Sequence, residues 1–152
     1  MILSKPTSYA IRALVHLAAT KDTAPILGAT IAEQEQLPAP FLSKLLRTLA
    51  NSGIVKATRG PGGGFVLAKK PDDINLFEIF VMFEGMVLAN ECLLGCGVCA
   101  DETPCPIHEL WGPKKIVLES FLGGTTIGDL VRLQEKNGPR KVMKPHSHAK
   151  HK

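Results

Sequence analysis

The sequence lacks a hydrophobic run long enough to cross a membrane, and it contains few aromatic residues. A membrane-spanning helix needs about 18 or more consecutive apolar residues, whereas the longest apolar segments, residues 9–19 and 76–88, are interrupted by Arg12, His16, Glu78 and Glu84. Aromatic residues make up 5% of the 152 residues, hydrophobic residues 45% and charged residues 21%. This composition is typical of a globular protein of about one domain.

The sequence also lacks the residue patterns of an enzyme active site. No nucleophile–base–orienter set occurs, and the glycine-rich residues 60–64 lack the Lys-Ser/Thr pair of a phosphate-binding loop. Residues 1–19 superficially resemble a secretory signal, but Arg12 and His16 interrupt the apolar stretch, and its apolar residues follow helical spacing. We therefore expect a mature amphipathic helix at residues 1–20 of a cytoplasmic protein that is not an enzyme.

Charge is strongly segregated along the chain, although the net charge is only +4. Residues 1–70 hold nine basic and three acidic residues, residues 71–135 hold three basic and eleven acidic residues, and residues 136–152 hold six basic residues and no acid. A basic segment beside an acidic one suits a nucleic-acid-binding module joined to a part that avoids the polyanion. A solvated surface is the alternative explanation.

Helix-start and helix-end signals follow one another closely between residues 28 and 53. Thr30 and Glu33 have the spacing of a capping box, which predicts a short helix ending near Gln36. Pro38 and Pro40 then predict a turn and a new helix. Its apolar stripe is formed by Phe41, Leu42, Leu45, Leu46, Leu49 and Ala50, and Gly53 is placed to end it in a left-handed conformation.

Two short strand-like runs follow, at residues 54–58 and 65–69, separated by the flexible tip RGPGGG at residues 59–64. Helix, helix, longer helix and hairpin in this order predict a winged helix-turn-helix, a mainly α fold with a small β-hairpin wing. The polar face of the longer helix and the glycine-rich tip are then the candidate DNA-binding surface. Its residues are Pro40, Ser43, Lys44, Arg47, Asn51, Arg59, Gly60, Gly62 and Gly63.

The acidic part of the chain, residues 71–135, predicts helices around a cysteine-rich loop. Asn75 is placed to cap a helix ending near Gly85, and residues 125–134 resemble a short terminal helix. Between them, Gly112–Pro113 should kink or restart a helix at residues 107–122. The apolar stripe of that helix suggests a symmetric dimer. We expect the basic residues 136–152 to be a disordered tail.

Four cysteines occur within the run ECLLGCGVCADETPCPIHELW at residues 91–111, with His108 three residues after the last of them. Cys96, Cys99, Cys105 and His108 have an acceptable spacing for zinc, whereas an iron–sulfur cluster would also use Cys92. A thiol switch is a third reading. The function classes left open are a DNA-binding regulator, an electron-carrying iron–sulfur protein and a zinc-stabilised interaction module.

The sequence resembles the IscR-like regulators, a family that includes iron–sulfur biogenesis, nitric-oxide-responsive and cysteine-metabolism repressors. The resemblance covers about residues 1–134. It is carried by YAIRAL at residues 9–14, PAPFLSKLLRTLANSGIVKATRGPGGGFVLA at 38–68, the cysteine loop with Trp111, and FLGGTTIGDL at 121–130. It implies a homodimeric winged-helix transcription factor, expected to be a repressor. Because a two-fold dimer presents two modules to two half-sites, we expect a pseudo-palindromic DNA operator. In such proteins a long carboxyl-terminal helix makes the dimer, and an iron–sulfur cluster senses redox state, nitric oxide or cluster supply.

The resemblance also implies a set of cluster ligands. Cys92, Cys99 and Cys105 match the family's three cysteines, and His108 matches the histidine of its two-iron two-sulfur members. We therefore expect a two-iron two-sulfur cluster, with a four-iron four-sulfur cluster or zinc as alternatives. Six residues rather than the commoner five separate Cys92 from Cys99, so Cys96 is a possible substitute ligand.

Overall fold

The computed structural model describes residues 3–20, 23–85, 91–95, 97–98, 102 and 104–138. Within them the helices are α1 (Lys5–Ala19), α2 (Gly28–Gln34), α3 (Ala39–Asn51), α4 (Leu76–Glu84), α5 (His108–Gly124) and α6 (Ile127–Asn137), with a 3-10 turn at Pro71–Asp73. Strands β1 (Val55–Thr58) and β2 (Gly64–Leu67) pair antiparallel. This mainly α fold with a small β-hairpin wing confirms the predicted fold class. None of the described helices is long and apolar enough to span a bilayer.

Helix α1 forms the back wall of the core, as predicted. At its amino-terminal end the Ser4 side chain accepts from the Thr7 amide. Pro6 lies in the first turn, where a backbone amide has no helical acceptor, so its missing N–H loses no hydrogen bond. Small and branched apolar residues at helical spacing are fully buried on one face, namely Ala10, Ala13 and Leu14.

The predicted capping box of α2 is wrong. The helix begins at Gly28, with Leu27 as its N-cap, so that Thr30 and Glu33 lie inside it. The reason is a long-range contact: the Ile26 amide donates to the Phe65 carbonyl at 3.0 Å, and the Phe65 amide donates back at 2.8 Å. This pairing fixes the chain just before α2, and the helix starts from there rather than at the local capping signal.

The turn between α2 and α3 is made by a residue in the left-handed conformation. Gln36 has φ = 53°, and α2 already ends at Gln34. The Gln36 amide donates to the Glu33 carbonyl at 3.1 Å and the Leu37 amide to the Ala32 carbonyl at 2.8 Å, which closes the helix end in the manner of a Schellman-type cap.

The predicted start and end of α3 agree with the structure. Pro38 is the N-cap and Pro40 lies in the first turn, while Gly53, with φ = +76°, follows the helix in the left-handed region that glycine favours. One face of the helix is buried through Leu42, Leu45, Leu46 and Leu49. The polar residues of the helix are consequently on the solvent side.

The wing pairs Val55 with Leu67 and Thr58 with Gly64, so its tip comprises residues 59–63. Glycine is needed at the last residue of the tip and at the first residue of β2. A Cβ on Gly63 would meet the Gly60 carbonyl oxygen at 2.8 Å, and Gly64, with φ = +149°, lies against the backbone of Ile26. These close backbone approaches define the shape of the tip.

The carboxyl-terminal helix α6 returns to the amino-terminal half and packs against α1. Ile127 is fully buried, and its amide donates to the Ile74 carbonyl at 2.8 Å. Thr126 and Asp129 form a capping box that the sequence analysis missed. Donation from the Thr126 amide, and then from Arg132, lowers the pKa of Asp129 to about 2.

Among the described residues, one buried core includes side chains from both halves of the chain. Its members after residue 70 are Ile74, Leu76, Ile79, Phe80, Leu122 and Ile127. The predicted α4 is confirmed, with Asn75 accepting from the Glu78 amide at 2.8 Å and Gly85 as the C-cap. Helix α6 continues to Asn137, so the first two residues of the expected tail are helical; residues 139–152 lie outside the described residues.

Helix α5 is one continuous helix, so of the predicted kink or restart at Gly112–Pro113 the restart is wrong. Pro113 has no amide to donate to the Glu109 carbonyl, but both residues are exposed, so water can reach that carbonyl. Among its apolar residues, Leu122 is buried, while four are more than half exposed: Leu110, Ile116, Val117 and Phe121.

Candidate DNA-binding face and cysteine loop

The exposed face of α3 carries the candidate base-reading residues. Pro40, Ser43, Lys44, Arg47 and Asn51 are all exposed, because the leucines of the same helix occupy its buried face. The Ser43 hydroxyl donates to the Ala39 carbonyl at 3.0 Å, so its oxygen can still accept from a ligand. Thr48, which the sequence analysis did not select, is exposed on the same helix.

A groove of about 760 Å³ separates α3 from the wing. Arg47 and Asn51 line it from the helix side, and Arg59, Gly60 and Gly63 line it from the wing. The structure thus brings five of the predicted residues to one groove, whose two guanidinium groups make it a cationic surface. The remaining four, Pro40, Ser43, Lys44 and Gly62, are exposed outside the groove lining.

The helix-turn-helix is held in place by charged and aromatic contacts with α1. Arg12 donates to the Glu35 carbonyl and also approaches its carboxylate, with 3.4 Å between Nε and Oε2. His16 Nδ1 lies 3.2 Å from the other carboxylate oxygen. Glu35 is the C-cap of α2, so these contacts fix the turn that leads into α3. Ring packing of Tyr9 on Phe41, edge to face at 5.7 Å, adds a second contact between α1 and α3.

A different contact ties α1 to the carboxyl-terminal end of α4. The Glu84 carboxylate accepts from the Ser4 amide at 2.9 Å and from the Thr7 hydroxyl, and Thr7 is fully buried. Burial alone would raise the pKa of Glu84, but the Ser4 and Thr7 hydrogen bonds outweigh it and lower that pKa. Glu84 supplies the negative charge that the first turn of α1 itself lacks. We call this contact the Glu84 clamp.

In the cysteine loop the structure brings two predicted ligands together. The Sγ atoms of Cys92 and Cys105 are 3.1 Å apart, and Cys92 is 7% exposed. Cys96 and Cys99 lie outside the described residues. His108 begins α5, and its amide donates to the Cys105 carbonyl at 2.9 Å. Within the described part of the chain, no three His, Cys, Asp or Glu residues are gathered closely enough to hold a metal ion.

The donor chemistry of this pair fits a thiolate-bound metal. Two ligand sulfurs on one tetrahedral zinc lie about 3.8 Å apart, given Zn–S bonds of about 2.3 Å, and the Cys92 and Cys105 sulfurs need to separate by less than 1 Å to reach that spacing. Iron–sulfur clusters are likewise held by thiolates. Two of the predicted ligands are therefore positioned compatibly with either kind of group.

Comparisons with known proteins agree with this architecture. Residues 3–133 match the Rrf2 family, described as an iron-dependent transcriptional regulator. An HTH-type transcriptional regulator of Aquifex aeolicus is 37% identical over 139 residues, which cover 90% of this chain and 96% of the relative. The HTH-type transcriptional regulator IscR of Klebsiella pneumoniae is 33% identical over 89% of this chain and 82% of its own length.

A solved structure shows the same fold. CymR, the global cysteine regulator of B. subtilis, is 30% identical, covers 86% of this chain and 96% of its own, and superposes with a TM-score of 0.73. These relatives are regulators rather than enzymes, which confirms the prediction that the chain has a regulatory and not an enzymatic role.

Proposed function

Because the chain belongs to the Rrf2 family of transcriptional regulators, we propose that it is a homodimeric repressor that binds operator DNA through α3 and the wing. In this proposal, binding is controlled by a metal group in the cysteine loop. The observation that carries the DNA-binding part is the groove between α3 and the wing, where Arg47 and Asn51 face Arg59 and Gly60.

Each side of the groove has a distinct role in this proposal. A helix fits the major groove of DNA, where exposed polar side chains reach base edges, so we assign Lys44 and Ser43 to base contacts. Arg47 binds a base or a phosphate from the same helix, with Pro40 and Asn51 at its two ends. Arg59 contacts phosphates or the minor groove, because the glycines Gly60, Gly62 and Gly63 allow the wing backbone to approach DNA closely.

Titrations on an operator selected from random duplex DNA test these roles. Lys44→Ala should weaken specific binding by about 1–3 kcal/mol and relax the preference at one base position. Arg59→Ala should weaken binding to all sequences and reduce its salt dependence by about one phosphate contact. Lys136→Ala, which changes an exposed lysine in the last turn of α6, is the control and should change neither. Unchanged affinity and base preference for Lys44→Ala would exclude the base-reading role.

The metal part of the proposal assigns Cys92 and Cys105 as ligands, because their thiols converge. Cys99 and His108 complete the set that the resemblance implies, with Cys96 as the substitute. A two-iron two-sulfur cluster, when bound, would supply a centre that is labile to oxidants and nitric oxide; a four-iron four-sulfur cluster is the alternative of the same chemistry, and structural zinc would be redox-inert.

Metal and sulfide analysis of anaerobically purified protein, together with its visible spectrum, tests the metal assignment. Cys92→Ala, Cys99→Ala and Cys105→Ala should abolish bound iron and sulfide, His108→Ala should leave a more labile cluster, and Cys96→Ala should have a mild effect. Stoichiometric zinc without iron or sulfide, and DNA affinity indifferent to oxidant, would replace the sensor with a zinc-stabilised regulator.

The dimer part of the proposal rests on the exposed apolar side chains of α5. Ile116, Val117 and Phe121 are 64%, 65% and 57% exposed, and a second copy would bury them. A two-fold dimer presents two winged modules, so we expect a pseudo-palindromic operator with half-sites about one helical turn apart or a close multiple. Sedimentation at micromolar concentration should give a dimer, and Val117→Glu a monomer. A wild-type monomer with and without DNA would refute the assignment.

A further inference from the structure

Cys92 and Cys105 are closer to one another than two metal ligands need to be. Their Sγ atoms are 3.1 Å apart, and no disulfide joins them. The two residues are 13 positions apart in the chain, so this approach is a property of the folded loop. A disulfide has a sulfur–sulfur bond of about 2.05 Å, which the pair can reach by a shift of about 1 Å.

The backbone on each side of the pair is held by hydrogen bonds that need no metal. The Cys92 amide donates to the Gly97 carbonyl at 2.9 Å, and its carbonyl accepts from Gly95 at 2.8 Å. Glu91 and Val98 form a β-bridge around this turn. Cys105 is held through its carbonyl, which accepts from the His108 amide at the start of α5. The protein itself therefore brings the two sulfurs together.

We propose that Cys92 and Cys105 form an intramolecular disulfide when the metal-free protein meets a peroxide. This deepens the proposed function and rests on it for its regulatory meaning, because the same two thiols are the assigned metal ligands. A sulfur in a disulfide is no longer a thiolate, so oxidation and metal binding exclude one another.

The reaction balances with hydrogen peroxide as the oxidant. The thiolate of one cysteine attacks a peroxide oxygen, the O–O bond breaks, and a sulfenic acid and one hydroxide form; the hydroxide takes up the proton lost by the thiol and leaves as water. The second sulfur then attacks the sulfenic sulfur, so that the S–S bond forms and the S–O bond breaks. The departing hydroxide takes up the proton of the second thiol and leaves as a second water. Two thiols are oxidised by two electrons, and one peroxide is reduced to two waters.

The disulfide would tie the turn that begins at Cys92 to the residues just before α5. Cys105 lies three residues before His108, the first residue of that helix. In the metal-free protein a covalent bond would thus fix the same two points that a metal would join. A reductant would restore the thiols, whereas excess peroxide would carry them to the sulfinic state.

Peptide mapping of the wild-type protein tests the proposal without DNA or metal. The protein is stripped with a chelator under reducing conditions, freed of reductant anaerobically and treated with one equivalent of hydrogen peroxide. A glutamate-specific protease cuts after Glu91, Glu102 and Glu109, giving peptide 92–102 with three cysteines and peptide 103–109 with Cys105 alone. We expect the two peptides to be linked, with two of the four thiols lost.

Two variants identify the partner of Cys105. The linked peptides should persist in the double variant Cys96→Ser, Cys99→Ser and disappear in Cys92→Ser, which keeps the other two cysteines as a matched control. The oxidised protein should take up less than a tenth of the zinc bound by the reduced protein, and a reductant should restore the uptake. A bond within peptide 92–102, a bond from Cys105 to Cys96 or Cys99, or a disulfide between two chains would each overturn the proposal.

These outcomes are separate from a failure of the proposed function. A protein that binds no operator or no cluster can still show the Cys92–Cys105 bond, because the mapping uses neither. A protein that binds both but never links peptides 92–102 and 103–109 keeps its proposed function and loses this inference.

Discussion

Replacing Glu84 by Ala should destabilise the protein far more than an ordinary surface substitution does. The Glu84 clamp holds the Ser4 amide and the hydroxyl of Thr7, which is fully buried. Hydrogen bonds to a charged group contribute about 1.5–3 kcal/mol each, and a buried donor left without its acceptor costs about 1–3 kcal/mol. Removing a negative charge from the carboxyl-terminal end of α4 returns a few tenths of a kcal/mol. Because Glu84 is only half-buried and the Thr7 hydroxyl also lies 3.2 Å from Ser4 Oγ, we count both hydrogen bonds at the low end, about 3 kcal/mol together, and expect a net loss of about 2–3 kcal/mol.

Thermal and urea unfolding of the wild type and the variant measure this loss. For a chain of this size, about 2–3 kcal/mol corresponds to a fall in Tm of roughly 4–12 °C. Glu78→Ala is the matched control on the same helix, since Glu78 pairs with Lys69 at 2.7 Å at the protein surface, and such a pair is worth about 0–1 kcal/mol. Equal losses for the two variants would refute the importance of the clamp.

The same clamp predicts the direction of a pH effect. Because the pKa of Glu84 is lower in the folded protein than its ordinary value of 4.5, its stabilisation is fully present above about pH 4.5. It is lost as the pH falls through the folded pKa, where the carboxylate takes up a proton. The stability difference between the wild type and Glu84→Gln should therefore shrink with acidification below pH 4.5. A difference that stays constant from pH 7 down to the acid unfolding transition would contradict the charged role of Glu84.

Two further substitutions test the packing of α6 against the 3-10 turn and the left-handed turn at Gln36. Gly128→Ala should lower the free energy of unfolding by no more than about 1 kcal/mol in a urea titration. The new Cβ would lie 2.8 Å from Asp72 Cγ, but the Asp72 side chain is exposed and can move, and its surface pair with Arg132 at 2.7 Å is worth about 0–1 kcal/mol; a loss of about 2 kcal/mol or more would show that Asp72 is held rigidly. Gln36→Gly should raise the free energy of unfolding by up to about 1 kcal/mol. Gln36 has φ = 53°, and glycine removes the strain of that left-handed conformation at a smaller cost in backbone entropy. A destabilised variant would show that the Gln36 side chain matters more than its backbone.

The sequence predicts those elements whose ends are marked by local chemistry. Asn75 and Gly85 bound α4, and Pro38 and Gly53 bound α3, because caps and helix-breaking residues act within one turn of themselves. The predicted start of α2 was wrong because the position of that start depends on the pairing of Ile26 with Phe65, 39 residues later in the chain. No local pattern encodes such a contact.

The candidate site also combines features that the local sequence predicts with contacts between residues far apart in the chain. The proposed DNA-binding residues of α3 lie on the polar face that helical periodicity predicts, so their exposure was predictable. The contacts of Arg12 and His16 with Glu35, and of Glu84 with Ser4, join residues 19–80 positions apart and could not be read from spacing. Arg12 and His16 were noticed only as interruptions of an apolar stretch, although their separation by one helical turn was a signal that both face one partner. Likewise, the cysteine spacing left the approach of Cys92 to Cys105 undetermined.

The burial of Ile127 beneath α1 has a consequence for the order of events on the ribosome. The core that supports α3 includes Leu46 and Ile54, and Ile127 completes it. Synthesis at about 5–20 residues per second delivers Ile127 several seconds after Ile54. During that interval the apolar surface that Ile127 covers in the folded protein stays exposed to solvent. A product terminated before residue 127 would therefore be bound by chaperones or degraded, and only chains that extend through α6 would stabilise the surface formed by α3 and the wing.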